Sequence, residues 1–203
     1  DRGVLTLWLH NPGRLNALSN AMVGELCAAF AEAGAQPDLR AVVLRGRGGV
    51  FCAGRDLHDL RALQDAPAAE IAMLVCWADI ALGAETAILG FPEVRHGIVP
   101  WGAVPTLMRS LPSRTIMDLL LSGRRFGGAE AVRLGILTES LAPGALEPRL
   151  AQLLDEICAG HREAQTAIKR FLRTCERIDP DAAIGLATRN AKAGTGGGSA
   201  AAV

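Results

Sequence analysis

The chain has 203 residues, 50% hydrophobic and 21% charged, with 21 Lys and Arg balanced by 21 Asp and Glu. That is an ordinary globular balance, long enough to bury a sizeable core as one large domain or a domain plus an appendage. A net charge of zero gives no sign of a nucleic-acid or anionic-membrane partner, and the lack of Tyr with 4% aromatics argues against base-stacking platforms.

Val4 to Leu9 is β-rich and ends at the turn signal Asn11-Pro12-Gly13. Ser19 or Asn20 can cap a helix with an apolar stripe at Met22, Leu26, Phe30 and Ala33, which Gly34 can end. Ala41 to Leu44 reads as a short buried strand, and Gly46, Gly48 and Gly49 turn the chain into Val50-Phe51-Cys52. Strand, helix, strand in that order argues for α/β architecture. Leu57 to Met73 reads as helix or loop, and Ala78 to Leu89 as a strand-like piece with a turn at Gly83. Thr106 to Ser122 reads as helix with a break at Pro112. A short helix over Ala129 to Leu134 stops at Gly135, and Ile136-Leu137-Thr138 returns as a strand. Ala145 to Cys158 and Glu163 to Cys175 read as two further helices. Beyond Pro180 the signal fades, and Gly194 to Val203 has the composition of a flexible tail.

The five cysteines are scattered, with no CxxC pair, and read as small apolar residues rather than a disulfide framework or zinc site. The four histidines show no metal-ligand spacing. With no signal-peptide pattern and no apolar run of membrane-spanning length, the expectation is a cytoplasmic protein without a membrane partner.

Two stretches carry chemistry. In Ala53-Gly54-Arg55-Asp56 a glycine at a strand end lets the backbone turn and approach a ligand. A helix starting just beyond it leaves N–H groups near Arg55 unpaired, and such donors can hold a developing oxyanion. Read alone, the same residues are an ordinary strand-to-helix turn. Glu93 is either a proton-transfer carboxyl or a carboxylate that caps a helix or pairs with Arg95. An apolar surrounding disfavours a charged carboxylate and suits such a group to proton transfer near neutral pH. His96, three residues on, can share a helix face with it and is read as a bystander.

Phe51-Cys52-Ala53-Gly54-Arg55-Asp56-Leu57 is similar to the F-(C/S)-A-G-x-D string of the crotonase family, the enoyl-CoA hydratases and isomerases. Asp79 to Glu93 resembles that family's C-D-hydrophobic…A…F-G-x-P-E string in order and spacing. Ala78 stands for the usual cysteine and Leu89 for the usual phenylalanine. Asn11 to Leu18 resembles N-P-x-(K/R)-x-N-A-L, a loop that lies along coenzyme A in relatives. Leu121 to Arg124 and Ala129 to Leu137 resemble L-T-G-(R/D) and A-x-E-A-x-x-x-G-L-V, segments serving packing and trimer contacts.

The resemblance implies an α/β fold, a crotonase-like spiral of ββα units over residues 1–143. A helical C-terminal region, 144–192, would mediate a homotrimer or hexamer, and 193–203 would be a tail. It implies that the Arg55 backbone N–H is one of two oxyanion donors to an acyl-CoA thioester and that Glu93 is the general acid or base. Asp56 would be structural, capping the next helix. Arg14 is a candidate neighbour of a coenzyme A phosphate or adenine, or else a solvated surface arginine. Leu15, Ala53, Gly54, Asp56 and Leu57 complete the implied substrate-binding set. Trp101, where relatives carry small flexible residues, would narrow or reshape the acyl pocket. Coenzyme A enters as part of the substrate, with no other cofactor and no metal.

Asp56 and Asp79 stand 23 positions apart, and relatives keep them roughly twice as far apart. The interval lacks the K-P-x-(I/V)-A-x-(V/I)-x-G…G-G-G-x-E segment, which holds a core strand, the second oxyanion glycine and the first catalytic glutamate. Deleting a central strand leaves unpaired backbone groups and a void. The spacing therefore predicts a break near residues 70 to 75, between Glu70 and Val75, where further residues belong. The implied activity is hydration of a 2-enoyl-CoA. Alternatives are a single-glutamate isomerase, another crotonase-type decarboxylase or hydrolase, and a non-catalytic acyl-CoA-binding paralogue. No G-x-S-x-G string supports a serine peptidase on a related spiral.

Overall fold

The computed structural model describes residues 3–54, 56 and 74–194. The chain forms two compact units, Asp1–Ile157 and Cys158–Val203. The first holds β1 (Val4–Leu9), α1 (Asn20–Ala35), β2 (Ala41–Gly46), α2 (Leu74–Trp77), β3 (Leu82–Ala84) and β4 (Ile88–Gly90). It continues with α3 (Ala103–Leu107), α4 (Ser113–Ser122), β5 (Arg125–Gly127), α5 (Gly128–Leu134), β6 (Glu139–Leu141) and most of α6 (Leu146–Ala159). The second holds α7 (Arg162–Cys175) and α8 (Pro180–Gly194). No described helix is long and apolar enough to cross a membrane.

β1 and β2 run parallel, with Trp8 opposite Arg45 and Leu9 opposite Gly46. A parallel pair needs a crossover, and α1 supplies it. Ser19 caps α1 by accepting a hydrogen bond from the Met22 N–H at 3.2 Å. Met22, Val23 and Leu26 then pack against the buried Leu9 and Leu18, with Leu44, Phe51 and Cys52 completing this small core. Gly34 does not end α1, which runs on to Ala35 and closes at Gln36.

The larger core gathers Phe91, Leu107, Ile116, Leu119, Phe126 and Leu137. α3 ends at Leu107, and Pro112, extended at ψ 147°, stands as the N-cap of α4. Gly123 and Gly135 end α4 and α5 in the left-handed conformation. α2 joins the two cores, since Leu74 packs in the smaller one and Val75 and Cys76 in the larger. Arg149 on α6 grips Glu139 on β6 at 2.7 Å and holds that carboxyl below its ordinary pKa. Arg45 on β2 pairs with Glu147 on α6.

Several expectations are corrected. Gly83 sits inside β3, not in a turn; a Cβ there would lie 2.6 Å from Leu137 Cδ1, so the position demands close packing. Ile136 and Leu137 are buried connectors, and the strand starts later, at Glu139. Pro180–Gly194 is a helix where the sequence signal fades. The readings on Leu57 to Met73 and on residues 195–203 lie outside the described residues. So does most of the expected break; Leu74 and Val75 are consecutive within α2.

Among the described residues β2 pairs only with β1, β3 only with β6, and β4 only with β5. These are three separate two-stranded sheets, with no described strand between β2 and β3. The segment expected from the spacing of the aspartates would fall in that interval, mostly outside the described residues.

Gly46 ends β2 under the returning chain. A Cβ there would press into the Val50 carbonyl oxygen and lie 2.5 Å from Phe51 Cα. Backbone cannot step aside as a flexible side chain does, so Gly46→Ala is expected to cost about 1–3 kcal/mol by overpacking. A shift in the urea midpoint checks this; an unchanged midpoint would show that the following turn relaxes freely.

Candidate active site

The first half of the site is two loops tied together. After β1, Pro12–Arg14 forms a single 3-10 turn, and Leu15 and Asn16 follow in the left-handed region at φ 51° and 58°. Asparagine tolerates that conformation better than most residues. Asn16, 2% exposed, then spends its amide on the neighbouring loop. Its Nδ2 donates to the carbonyls of Arg47 at 2.8 Å and Val50 at 2.7 Å, and its Oδ1 accepts from the Asn11 N–H at 2.8 Å.

The main chain continues the join. Ala53 N–H donates to the Leu15 carbonyl, Leu18 N–H to the Gly54 carbonyl and Asp56 N–H to the Leu18 carbonyl, at 3.1, 2.8 and 3.0 Å. Arg14 Nη1 reaches Asp56 Oδ1 at 2.8 Å. Gly54 has φ 102°, a conformation that side-chain-bearing residues rarely adopt, so glycine is needed there for conformation. The geometry thus brings together Arg14, Leu15, Ala53, Gly54 and Asp56. Arg55 and Leu57 lie outside the described residues.

Cys52 lies beside this loop. Its Sγ accepts from the Gly54 N–H at 3.3 Å. Burial pushes the Cys52 thiol up, and the Gly54 hydrogen bond pulls the other way. Burial also pushes the Cys76 thiol up to about 11. Thiols held protonated are poor nucleophiles, so neither suits covalent catalysis at neutral pH. Among the described residues no cluster of His, Cys, Asp and Glu could hold a metal.

The second half comes from β4. Its antiparallel pairing with β5 places Phe91, buried, 6.3 Å from Phe126 between ring centroids. Pro92 opens a 3-10 helix, Pro92–His96, and Gly97 closes it with its N–H on the Glu93 and Val94 carbonyls. Glu93 is therefore fixed at its backbone. Its Oε2 is buried and has no hydrogen-bond partner among the described residues. Arg95 does not pair with it; Arg95 Nη2 points to the Ser122 carbonyl at 3.5 Å. Leaving a carboxylate oxygen buried and unsatisfied costs about 1–3 kcal/mol or more. Such a group is retained where a ligand or a proton completes it.

Trp101 is 74% exposed, and Val94, Ile98 and Val99 are exposed beside it in sequence. Trp101 is thus not packed into the core, and no hydrogen bond or ion pair among the described residues joins Glu93 to the loop pair. Asn16 carried no assigned role in the sequence reading. Its signal was present, an asparagine four residues past a turn proline, but the two carbonyls it ties from the neighbouring loop are more than thirty positions away.

The enoyl-CoA hydratase/isomerase family model matches the chain in two stretches, residues 1–73 and 68–190. The two stretches overlap at residues 68–73. A probable enoyl-CoA hydratase, echA8, from Mycobacterium leprae is 26% identical over 89% of this chain and 76% of that protein. The enoyl-CoA hydratase EchA19 of Mycobacterium tuberculosis is 27% identical over 91% of this chain and 82% of its own. The solved structure of Pseudomonas aeruginosa AtuE superposes with a TM-score of 0.85 at 31% identity, covering 97% of this chain and 89% of that one. The chain belongs to the enoyl-CoA hydratase/isomerase family and has the crotonase fold.

Proposed function

We propose that this chain is an acyl-CoA enzyme that hydrates a 2-enoyl-CoA thioester, working as a homotrimer or hexamer in the cytoplasm. The thioester oxygen rests on backbone donors, the Arg55 N–H among them, so that the α-carbon gains enolate character. Water oxygen adds at C3, and Glu93 handles the proton that ends at C2. The carrying observation is the buried Oε2 of Glu93, without a partner among the described residues, on a backbone pinned by Pro92 and Gly97. The relatives described as enoyl-CoA hydratases support the same choice.

A second reading, migration of the double bond from a 3-enoyl to a 2-enoyl thioester, is favoured by one feature. Glu93 is the only described carboxylate with a buried, unpartnered oxygen. Isomerisation needs a single group that takes a proton from C2 and returns it to C4.

Both are tested by one experiment with the purified chain. Crotonyl-CoA losing its conjugated thioester absorbance indicates hydration; a 3-enoyl-CoA gaining that absorbance indicates isomerisation. Neither change, with acyl-CoA binding retained, would identify a non-catalytic acyl-CoA-binding paralogue and overturn the enzymatic reading.

A further inference from the structure

We infer that Arg14 is a positioning residue for the loop that carries Gly54 and Asp56, acting through its ion pair with Asp56 and not as a contact to coenzyme A. What that loop serves rests on the acyl-CoA reading above; the pairing itself does not.

The Asp56 side chain is 7% exposed and that of Arg14 46%. A carboxylate buried to that degree needs a partner, because its own solvation is lost. Arg14 Nη1 at 2.8 Å from Asp56 Oδ1 supplies one across 42 positions of sequence. The root of that arginine is itself fixed. Arg14 ends the 3-10 turn, donating its N–H to the Asn11 carbonyl at 3.0 Å and accepting from the Ala17 N–H at 2.9 Å.

The loop it holds needs holding. Gly54 at φ 102° has no side chain to restrict it, and glycine loses the most freedom when ordered. Leu18 grips the main chain at Gly54 and at Asp56, the two neighbours of Arg55, and the Arg14 guanidinium adds a side-chain tie to the second. The tie also changes what Arg14 offers a ligand. A guanidinium in contact with a carboxylate forms a pair of zero net charge, so an incoming phosphate gains little long-range attraction from it.

The inference separates from phosphate binding by kinetics. Arg14→Gln and Asp56→Asn are each expected to lower kcat about tenfold while KM for the acyl-CoA changes by less than about threefold. Arg14→Lys keeps the charge and is expected to restore most of the rate. The double variant is expected to be no worse than the poorer single one, since the two groups act as a unit. Native-state hydrogen exchange gives a second reading that needs no turnover. In Arg14→Gln the Leu18 and Asp56 amides are expected to exchange about tenfold faster, while amides in the β1–β2 pair stay protected. A raised KM with kcat unchanged would make Arg14 a ligand contact and overturn the inference; unaltered exchange at both amides would do the same. If the wild-type chain turns over no acyl-CoA, the functional reading fails and exchange alone decides the tie.

Discussion

Replacing Glu93 with glutamine is expected to lower kcat by about 10²–10⁴-fold, the usual worth of a positioned general acid or base. The amide keeps the size and shape of the side chain but cannot take or give the proton. Binding is expected to persist, because the backbone at this position is fixed by Pro92 and by the Gly97 cap, neither of which depends on the carboxyl group. Stability is expected to hold or rise slightly. Oε2 is buried without a partner among the described residues, and a neutral amide is cheaper to bury than a charged oxygen. Turnover at saturating acyl-CoA, binding by calorimetry and a thermal melt together decide it. Lost turnover with retained binding and melting temperature marks proton transfer. A lowered melting temperature with proportionate loss of activity would make Glu93 a structural carboxylate and remove the main support for catalysis. Glu93→Asp probes geometry rather than chemistry. It withdraws the carboxyl by one methylene, and a displacement of about 1 Å at a reacting group can itself cost about 10²-fold.

Helix boundaries were legible where a residue's chemistry forbids continuation. Pro112 marks the start of α4, although α3 already ends at Leu107, and Gly123 and Gly135 closed their helices in a conformation other residues resist. The strands β3 to β6 have three residues each and carry too few alternations to show a period, so Gly83 read as a turn and Ile136-Leu137 as a strand. Helix α8 left no periodic signal because its glycines and alanines resemble a linker, and only the family resemblance, with its helical region over 144–192, covered it. In the site, Gly54 and Glu93 were legible from local strings, since each depends on its immediate neighbours. The Arg14–Asp56 pair and the Asn16 bonds were not. The pair and the two bonds donated by Asn16 Nδ2 join residues 31 to 42 positions apart, and spacing within one element does not encode a contact between two. The interval between the aspartates was legible only against relatives. The stretch in question, residues 57–73, lies outside the described residues.

Asn16→Ala is expected to be the most destabilising single change in the loop pair, at about 3–5 kcal/mol. Three hydrogen bonds end on this amide, and the substitution strands the Arg47 and Val50 carbonyls and the Asn11 N–H at a site that is 2% exposed. Each group left unsatisfied costs about 1–3 kcal/mol, less where water enters the small cavity. Alanine at φ 58° adds about 1–2 kcal/mol of left-handed strain that asparagine largely avoids. Against a total stability of about 5–15 kcal/mol that is a large fraction, and for a chain of this size it corresponds to a fall in melting temperature of about 10 °C or more. Asn16→Gly separates the two causes: it relieves the strain but not the lost bonds, so it should fall between alanine and wild type. Activity is expected to drop with stability, because the residues on either side of Asn16 carry the Leu15 and Leu18 bonds to Ala53, Gly54 and Asp56. Urea unfolding of the three proteins checks the order. A cost below about 1 kcal/mol for alanine would mean that water replaces the amide without loss; the loops would then be held by their main-chain bonds and the Arg14–Asp56 pair alone.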